Sequence, residues 1–263
     1  QRHDGAVAAP SHAPPLRLAN VARAYLNSSR RLLVIGVGGG AYSPAAAAPT
    51  LASSGDAPPD VVGTEVSDLL RQLLRDPANV VLVTSSRSRA RMGELLDSLG
   101  GADDGGAPAG ELWALAENGV FARRGDGGWE ATVQAAQESS WMEMAHEVCS
   151  YYAERTPESV LEVRERTIRW GYAAAAADLA AASASGLVEH LEKVLASAPV
   201  EVIREGASVE VRPHGASVGH GLLQLLAADF KQNNLSNAEL PLGAAPSPFD
   251  FALALGNFTA RDE

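Results

Sequence analysis

Apolar runs and amphipathic segments alternate along the first half of the chain. Three short runs have the length and aliphatic content of buried strands: 31–35, 80–84 and 112–116. Three segments place apolar residues at helical spacing: 16–28, 66–74 and 87–99. Strands that alternate with helices predict a parallel sheet with helices on both faces. Loops are predicted where glycine, alanine and proline accumulate, at 41–59 and 100–110.

The second half of the chain predicts a different arrangement. Three helices are expected, at 134–152, at 173–184 and, after a break near Gly186, at 187–195. Extended segments are expected at 159–172, 200–203, 208–212 and 249–255. The two segments around Gly206 are spaced as a hairpin. This region therefore reads as an α+β module inserted before the final strand.

Charge and cysteine content narrow the possible partners. The chain has 32 acidic and 21 basic residues, a net charge of -11 that disfavours nucleic acid and anionic membrane surfaces. The lone cysteine, Cys149, excludes an internal disulfide framework, and the six scattered histidines indicate no metal site. No apolar run reaches the roughly 18 residues of a membrane span. The sequence thus predicts no nucleic acid, no membrane span and no cofactor, and it indicates no compartment.

Four blocks of sequence occur in the order of a known phosphatase family. Residues 153–164 are similar to that family's cap signature, and 83–89 resemble its strand-end serine motif. Residues 116–123 resemble its Ala-Glu-His-Gly block, with Asn118 in place of histidine, and 209–217 resemble the stretch leading to its catalytic lysine. Together the blocks make the chain resemble the trehalose-6-phosphate phosphatases from about residue 16 to residue 263.

This resemblance implies a haloacid dehalogenase-like α/β fold, in which a Rossmann-like core carries an inserted α+β cap. We therefore predict a core in two parts, 16–126 and 213–263, with the cap at 127–212. Residues 1–15 read as a disordered or linker segment. Similar domains, often degenerate, occur in trehalose-6-phosphate synthase-like proteins, so the chain is expected to be part of a longer protein.

The resemblance also implies catalytic groups that this sequence lacks. Family members attack phosphorus with one aspartate and protonate the leaving oxygen with a second, and Gly36 and Gly38 stand at those positions. Asn257 and Phe258 replace the acidic pair that holds magnesium, and Val218 replaces the stabilising lysine. Because losing one group of a catalytic unit can cost orders of magnitude in rate, the sequence predicts a pseudophosphatase.

Polar residues remain at positions where the resemblance implies substrate binding: Ser85, Asn118, Arg123, Glu162 and Arg164. Ser85 matches a phosphate-binding serine, Glu162 and Arg164 match the cap residues that grip the sugar, and the other two belong to the same cleft. Each has a structural alternative. Ser85 can end a strand or cap a helix, Asn118 can form a turn, and the cap pair can be solvated strand charges.

These features leave three functions open. The first is a structural or regulatory role, as a scaffold in a larger assembly whose protein partner covers the unpaired edge expected beside the final strand. The alternative is a sensor that binds trehalose 6-phosphate through Ser85, Glu162 and Arg164 without hydrolysing it. The third is an active phosphatase that uses the displaced acids Asp262 and Glu263.

Overall fold

The computed structural model describes residues 17–37, 64–100, 109–134, 139–233 and 248–256. The predicted linker at 1–15, the predicted loop at 41–59 and residues 101–108 of the predicted break lie outside these ranges. So do five residues named above: Gly38, Asn257, Phe258, Asp262 and Glu263. None of the helices in the described ranges has both the length and the apolar character needed to cross a membrane.

The larger of two sheets has six strands. Their bounds are β1 (Arg31–Gly36), β2 (Asn79–Thr84), β3 (Glu111–Ala116), β4 (Phe121–Arg124), β5 (Glu130–Ala131) and β10 (Phe251–Leu255). Their order across the sheet is β10-β1-β2-β3-β4-β5, and the first four run parallel. The predicted parallel sheet is therefore confirmed, and β4 and β5 extend it as antiparallel strands that the sequence did not predict.

Helices cover both faces of this sheet. Their bounds are α1 (Leu18–Leu26), α2 (Thr64–Leu74), α3 (Arg89–Gly100) and α6 (Val218–Asn233). Helices α2 and α3 pack on the face that carries Leu33, Val81 and Val83. Helix α6, which the sequence did not predict, packs through Leu225 on the opposite face. Burial on both faces explains why the central strands read as continuous apolar runs.

The second sheet is antiparallel and packs on two helices. Its strands are β6 (Val160–Val163), β7 (Ile168–Gly171), β8 (Val200–Glu205) and β9 (Ser208–Pro213), in the order β6-β7-β9-β8. One face packs Trp170 and Val211 against α4 (Trp141–Arg155) and α5 (Ala177–Val194). The other face carries a row of charged residues in register across three strands: Glu162, Arg169 and Glu210. This alternation is typical of a sheet with a core on one side only. We refer to β6–β9 with α4 and α5 as the cap.

Three predictions for the cap need correction. Residues 159–172 form the hairpin β6–β7 instead of one strand. The chain reverses its direction between them, and the Arg164 N–H donates a hydrogen bond to the Thr167 carbonyl at 2.9 Å. The predicted break near Gly186 is wrong, since α5 is continuous. A Cβ at Gly186 would lie 3.1 Å from the Tyr152 hydroxyl, so this glycine admits close helix packing without ending the helix. The helix predicted at 134–152 begins later, at Trp141.

The carboxylate of Asp250 ties the start of β10 to the start of β1. It accepts hydrogen bonds from the Ser29 N–H at 2.8 Å, the Ser29 hydroxyl at 2.7 Å and the Arg30 N–H at 2.9 Å. These donors favour the ionised form and lower the pKa of Asp250 from 3.8 to about 2.

We expect the stabilisation from Asp250 to depend on pH. Because its pKa is lowered in the folded state, the contribution is complete above the ordinary pKa and is lost as pH falls towards 2. Urea unfolding of the parent and of Asp250→Asn, measured from neutral to acid pH, checks this. The two midpoints should differ at neutral pH and converge in acid, whereas a constant difference down to pH 2 would refute the assignment.

Candidate functional site

The carboxyl ends of the parallel strands meet at one edge of the core sheet. Gly36 of β1 is in register with Thr84 of β2, and β3 ends beside them at Ala116. The charged face of the cap sheet contacts this edge, because Asn118, just after β3, bonds to Glu210 of β9. The candidate site is therefore the contact region between the carboxyl edge of the core sheet and the cap.

Two positions in the described part of this region lack the groups that the resemblance implies. Gly36 carries no side chain, and a Cβ added there would lie 3.3 Å from the Gly256 Cα and 3.7 Å from the Thr84 Oγ1. Val218, at the start of α6, packs against the apolar cluster beneath that helix. The strand end thus supplies no carboxylate, and the α6 position supplies no cation.

Glu117 is a fully buried carboxylate that joins the core to the cap. It accepts hydrogen bonds from the N–H groups of Glu165 and Arg166, each at 2.9 Å, and from the Thr167 hydroxyl at 3.1 Å. Burial raises the pKa of Glu117 above its ordinary value, while these donors and the nearby Arg164 oppose that rise. Its partners all lie in the β6–β7 turn, so this side chain fixes the cap hairpin to the end of β3.

A chain of polar contacts links three of the predicted site residues. The Asn118 amide donates to both carboxylate oxygens of Glu210 at 3.0 Å. Arg164 places its Nη1 3.9 Å from the same carboxylate and donates to Glu162 through Nη2. Glu162 also lies 3.5 Å from Arg169, so it is paired on two sides. The predicted alternative of solvated strand charges is wrong for Arg164, whose side chain is only 9% exposed.

Ser85 joins this chain through its backbone. Its carbonyl accepts from the Asn118 N–H at 3.0 Å, and its hydroxyl accepts from the Arg87 N–H at 3.2 Å. The side chain is buried at the end of β2. Ser88 caps α3 instead, because its hydroxyl accepts from the Arg91 N–H at 3.4 Å. Of the two structural alternatives for Ser85, the strand-end position is correct and the helix cap is wrong.

Arg123 does not join the other four predicted site residues. It lies opposite Ala114, two residues back from the carboxyl edge of the sheet, a displacement of about 7 Å. Its Nε donates to the Gly125 carbonyl at 3.2 Å, in the turn at the far end of β4. The antiparallel direction of β4 explains this position, because each residue after Phe121 lies farther from the edge.

Sequence reasoning missed the groups that make most of the contacts between core and cap. Glu117 and Glu210 were not selected, and neither was the ion pair between Arg89 of α3 and Glu165, whose Nε–Oε2 distance is 2.7 Å. A signal existed for Glu210, which lies in an alternating strand on the same face as Arg212. Nothing in the local sequence indicates that Glu117 is buried, because its partners are backbone N–H groups in a distant turn.

The family that the chain resembles uses magnesium, and the described residues here do not fit that ion. Magnesium prefers oxygen ligands, usually carboxylates and water. Gly36 and Gly256 offer no side-chain oxygen at the strand ends. Within the described ranges, no group of three or more His, Cys, Asp or Glu side chains is arranged to hold a metal ion.

Comparison with curated proteins finds relatives in trehalose metabolism. A probable alpha,alpha-trehalose-phosphate synthase (UDP-forming 4) of Arabidopsis thaliana is 28% identical over 93% of this chain. Alpha,alpha-trehalose-phosphate synthase (UDP-forming 6) of the same plant is 34% identical over 67% of the chain. The chain spans only 28% and 19% of the lengths of these two relatives.

Solved structures share the fold. The C-terminal domain of Candida albicans trehalose-6-phosphate phosphatase superposes with a TM-score of 0.66 at 24% identity, over 94% of this chain and 76% of that one. The C-terminal domain of the Candida albicans trehalose synthase regulatory protein gives 0.64 at 16% identity, over 96% and 83%. These likenesses confirm the haloacid dehalogenase-like fold with an inserted cap. The family model for trehalose-phosphatase matches residues 50–263, so the chain belongs to the trehalose-phosphatase family.

Proposed function

We propose that this chain is a catalytically inactive member of its family, with a structural or regulatory role in a protein assembly. The observation that carries the proposal is the side-chain-free end of β1, where Gly36 faces Gly256 with a Cβ position only 3.3 Å from the Gly256 Cα. A nucleophilic carboxylate at this place would need a side chain, which glycine lacks, and a shift of a few tenths of an ångström in the Gly256 backbone to admit its Cβ. Val218, packed in an apolar cluster, supports the same conclusion.

The charges around the cleft also support a role without turnover. Four carboxylates line the contact region between core and cap: Glu117, Glu162, Glu165 and Glu210. Arg89 and Arg164 are paired with members of this set. A phosphorylated sugar would bring further negative charge to arginines that already have acidic partners, which disfavours its binding.

The proposal can be tested by restoring the two aspartates that glycines replace. Gly36→Asp combined with Gly38→Asp returns both aspartates but leaves Val218, Asn257 and Phe258 unchanged. We expect neither this variant nor the parent to release phosphate from trehalose 6-phosphate in the presence of magnesium. Catalytic groups act as a unit, so two of them without the others should restore no turnover. Release of phosphate by the parent would refute the proposal.

One observation favours the second candidate, a sensor of trehalose 6-phosphate. The Nη1 of Arg164 is buried and has no hydrogen-bond acceptor among the described residues. A guanidinium nitrogen that lies near a carboxylate but lacks a hydrogen-bond acceptor can donate to an oxygen of a ligand. The regulatory protein of Candida albicans shares the fold but, at 16% identity, does not decide between scaffold and sensor.

Calorimetry with trehalose 6-phosphate separates the two candidates. A sensor should release or absorb heat on binding, and the signal should disappear in Arg164→Ala. Arg212→Ala is the matched control, because Arg212 lies on the same face of the cap sheet and already bonds Glu201 at 2.9 Å. We expect no heat from the parent. Binding heat that is present in the parent and in Arg212→Ala but absent in Arg164→Ala would refute the scaffold proposal and support the sensor.

A further inference from the structure

The three residues that follow β3 form a left-handed turn. Glu117, Asn118 and Gly119 have φ values of 49°, 55° and 91°. Left-handed backbone is common for glycine and unfavourable for residues with a Cβ, above all in succession. Such a conformation persists only where the surroundings hold it. The turn at 117–119 therefore needs contacts that over-determine its shape.

Those contacts come from both sides of the cleft. From the cap, the β6–β7 turn donates three hydrogen bonds to the Glu117 carboxylate, and Glu210 accepts a hydrogen bond from the Asn118 side-chain amide. From the core, the Thr132 hydroxyl donates to the Gly119 carbonyl at 2.6 Å. Gly119 also lies so close to the backbone of Ser217 that a Cβ would meet its oxygen at 2.2 Å. The cap thus holds the side chains of Glu117 and Asn118, while the core holds Gly119 and the N–H groups of the other two residues.

We infer that the turn at 117–119 is a latch that holds the cap closed on the core in the absence of any ligand. Separation of the cap would leave the buried Glu117 carboxylate and the Thr167 hydroxyl without their partners. It would also remove the side-chain contacts of two left-handed residues, whose backbones would then be held only by their N–H bonds to the Arg87 and Ser85 carbonyls of the core. The ion pair between Arg89 and Glu165 adds a second tie between the same surfaces. This inference goes beyond the proposed function and stands whether or not the chain hydrolyses a phosphate.

The latch also couples the cap to the start of α6. Because Gly119 contacts the Ser217 carbonyl, relaxation of the turn towards right-handed backbone would displace the segment that begins this helix. A change at the cap would thereby reach α6, on the sheet face opposite α2 and α3. A group that competes for Glu210 would therefore shift the balance from the latched turn towards a released one.

The experiment measures the distance between core and cap directly. Cysteines replace Leu69 on α2 and Leu179 on α5, which are 58% and 44% exposed, and both carry spin labels. The native Cys149 is buried, and burial raises its pKa to about 12, so it does not compete for the label. Electron–electron dipolar spectroscopy then gives the distance distribution with no ligand present.

We expect one narrow distribution for the labelled parent and a second, longer distance in Glu117→Ala. Hydrogen bonds to a charged group are strong enough that the ratio of released to latched molecules should rise at least about tenfold. Thr167→Val and Asn118→Ala, which each remove part of the latch, should give smaller increases. Glu94→Ala, which removes an exposed carboxylate paired to Arg91 within α3, is the control and should leave the distribution narrow.

A broad distribution in the parent would overturn the latch, as would variants whose distributions match that of the parent. Circular dichroism establishes which variants remain folded. If Glu117→Ala does not fold, Thr167→Val and Asn118→Ala decide the question alone.

Discussion

Replacing Asp229 by asparagine is expected to lower the free energy of unfolding by about 3 kcal/mol. The Asp229 carboxylate is completely buried on α6 and accepts hydrogen bonds from the Nη1 and Nη2 of Arg30, at 2.8 and 2.9 Å. It also bonds Arg124 at 2.6 Å. Its hydrogen bond raises the pKa of Arg30. Asparagine keeps the shape of the side chain but removes the charge that balances two arginines, and it turns an amide donor towards them.

Asp68→Asn provides the control for this prediction. Asp68 also pairs with an arginine, Arg71, at 2.8 Å, but its side chain is 63% exposed on α2. Exposed pairs of this kind contribute at most about 1 kcal/mol. Urea unfolding of both variants at neutral pH checks the difference. Equal losses in the two variants would contradict a role for Asp229 as the buried link between α6 and the core sheet.

Gly119→Ala is expected to lower the free energy of unfolding by more than about 3 kcal/mol. The φ of 91° is unfavourable for alanine, and the new Cβ would lie 2.2 Å from the Ser217 oxygen and 2.8 Å from the Val218 nitrogen. Both are backbone atoms, so no side chain can rotate away. Either the turn or the start of α6 must move, which also disrupts the latch.

Gly206→Ala separates the effect of the left-handed backbone from the effect of the steric clash. Gly206 has a φ of 52° in the turn between β8 and β9, and nothing lies within 4 Å of an added Cβ. Alanine at this position would have a left-handed backbone but no steric clash. We therefore expect Gly206→Ala to lower the free energy of unfolding by about 1 kcal/mol. If Gly119→Ala proves no more destabilising than Gly206→Ala in parallel thermal or urea unfolding, the close contact with Ser217 is not rigid.

The fold could be predicted from sequence where an element carries its own pattern. The continuous apolar runs of β1, β2 and β3 reflect burial on both sheet faces, and the hairpin around Gly206 shows alternation and a turn residue. Helix α6 was missed because its first turns contain glycine. Gly221 is needed there, since a Cβ would meet a Leu115 methyl at 2.6 Å where helix and sheet approach closely.

The site could be predicted only where residues act through side chains in recognisable blocks. Asn118, Glu162 and Arg164 do converge, but on one another and on Glu210, a partner that only the tertiary fold supplies. Arg123 was misplaced because the direction of β4 is not visible in a four-residue strand with two arginines. Glu117 was missed because a buried carboxylate bound to backbone N–H groups has no signature in the sequence near it.

Release of phosphate from trehalose 6-phosphate shows directly whether this chain is catalytically inactive. The unaltered chain is incubated with the substrate and magnesium at a protein concentration close to that of the substrate. An active trehalose-6-phosphate phosphatase in parallel shows that the assay works. We predict no phosphate above the blank without protein. Phosphate that increases in proportion to the concentration of this chain, and that disappears when magnesium is chelated, would show that the chain is an active enzyme.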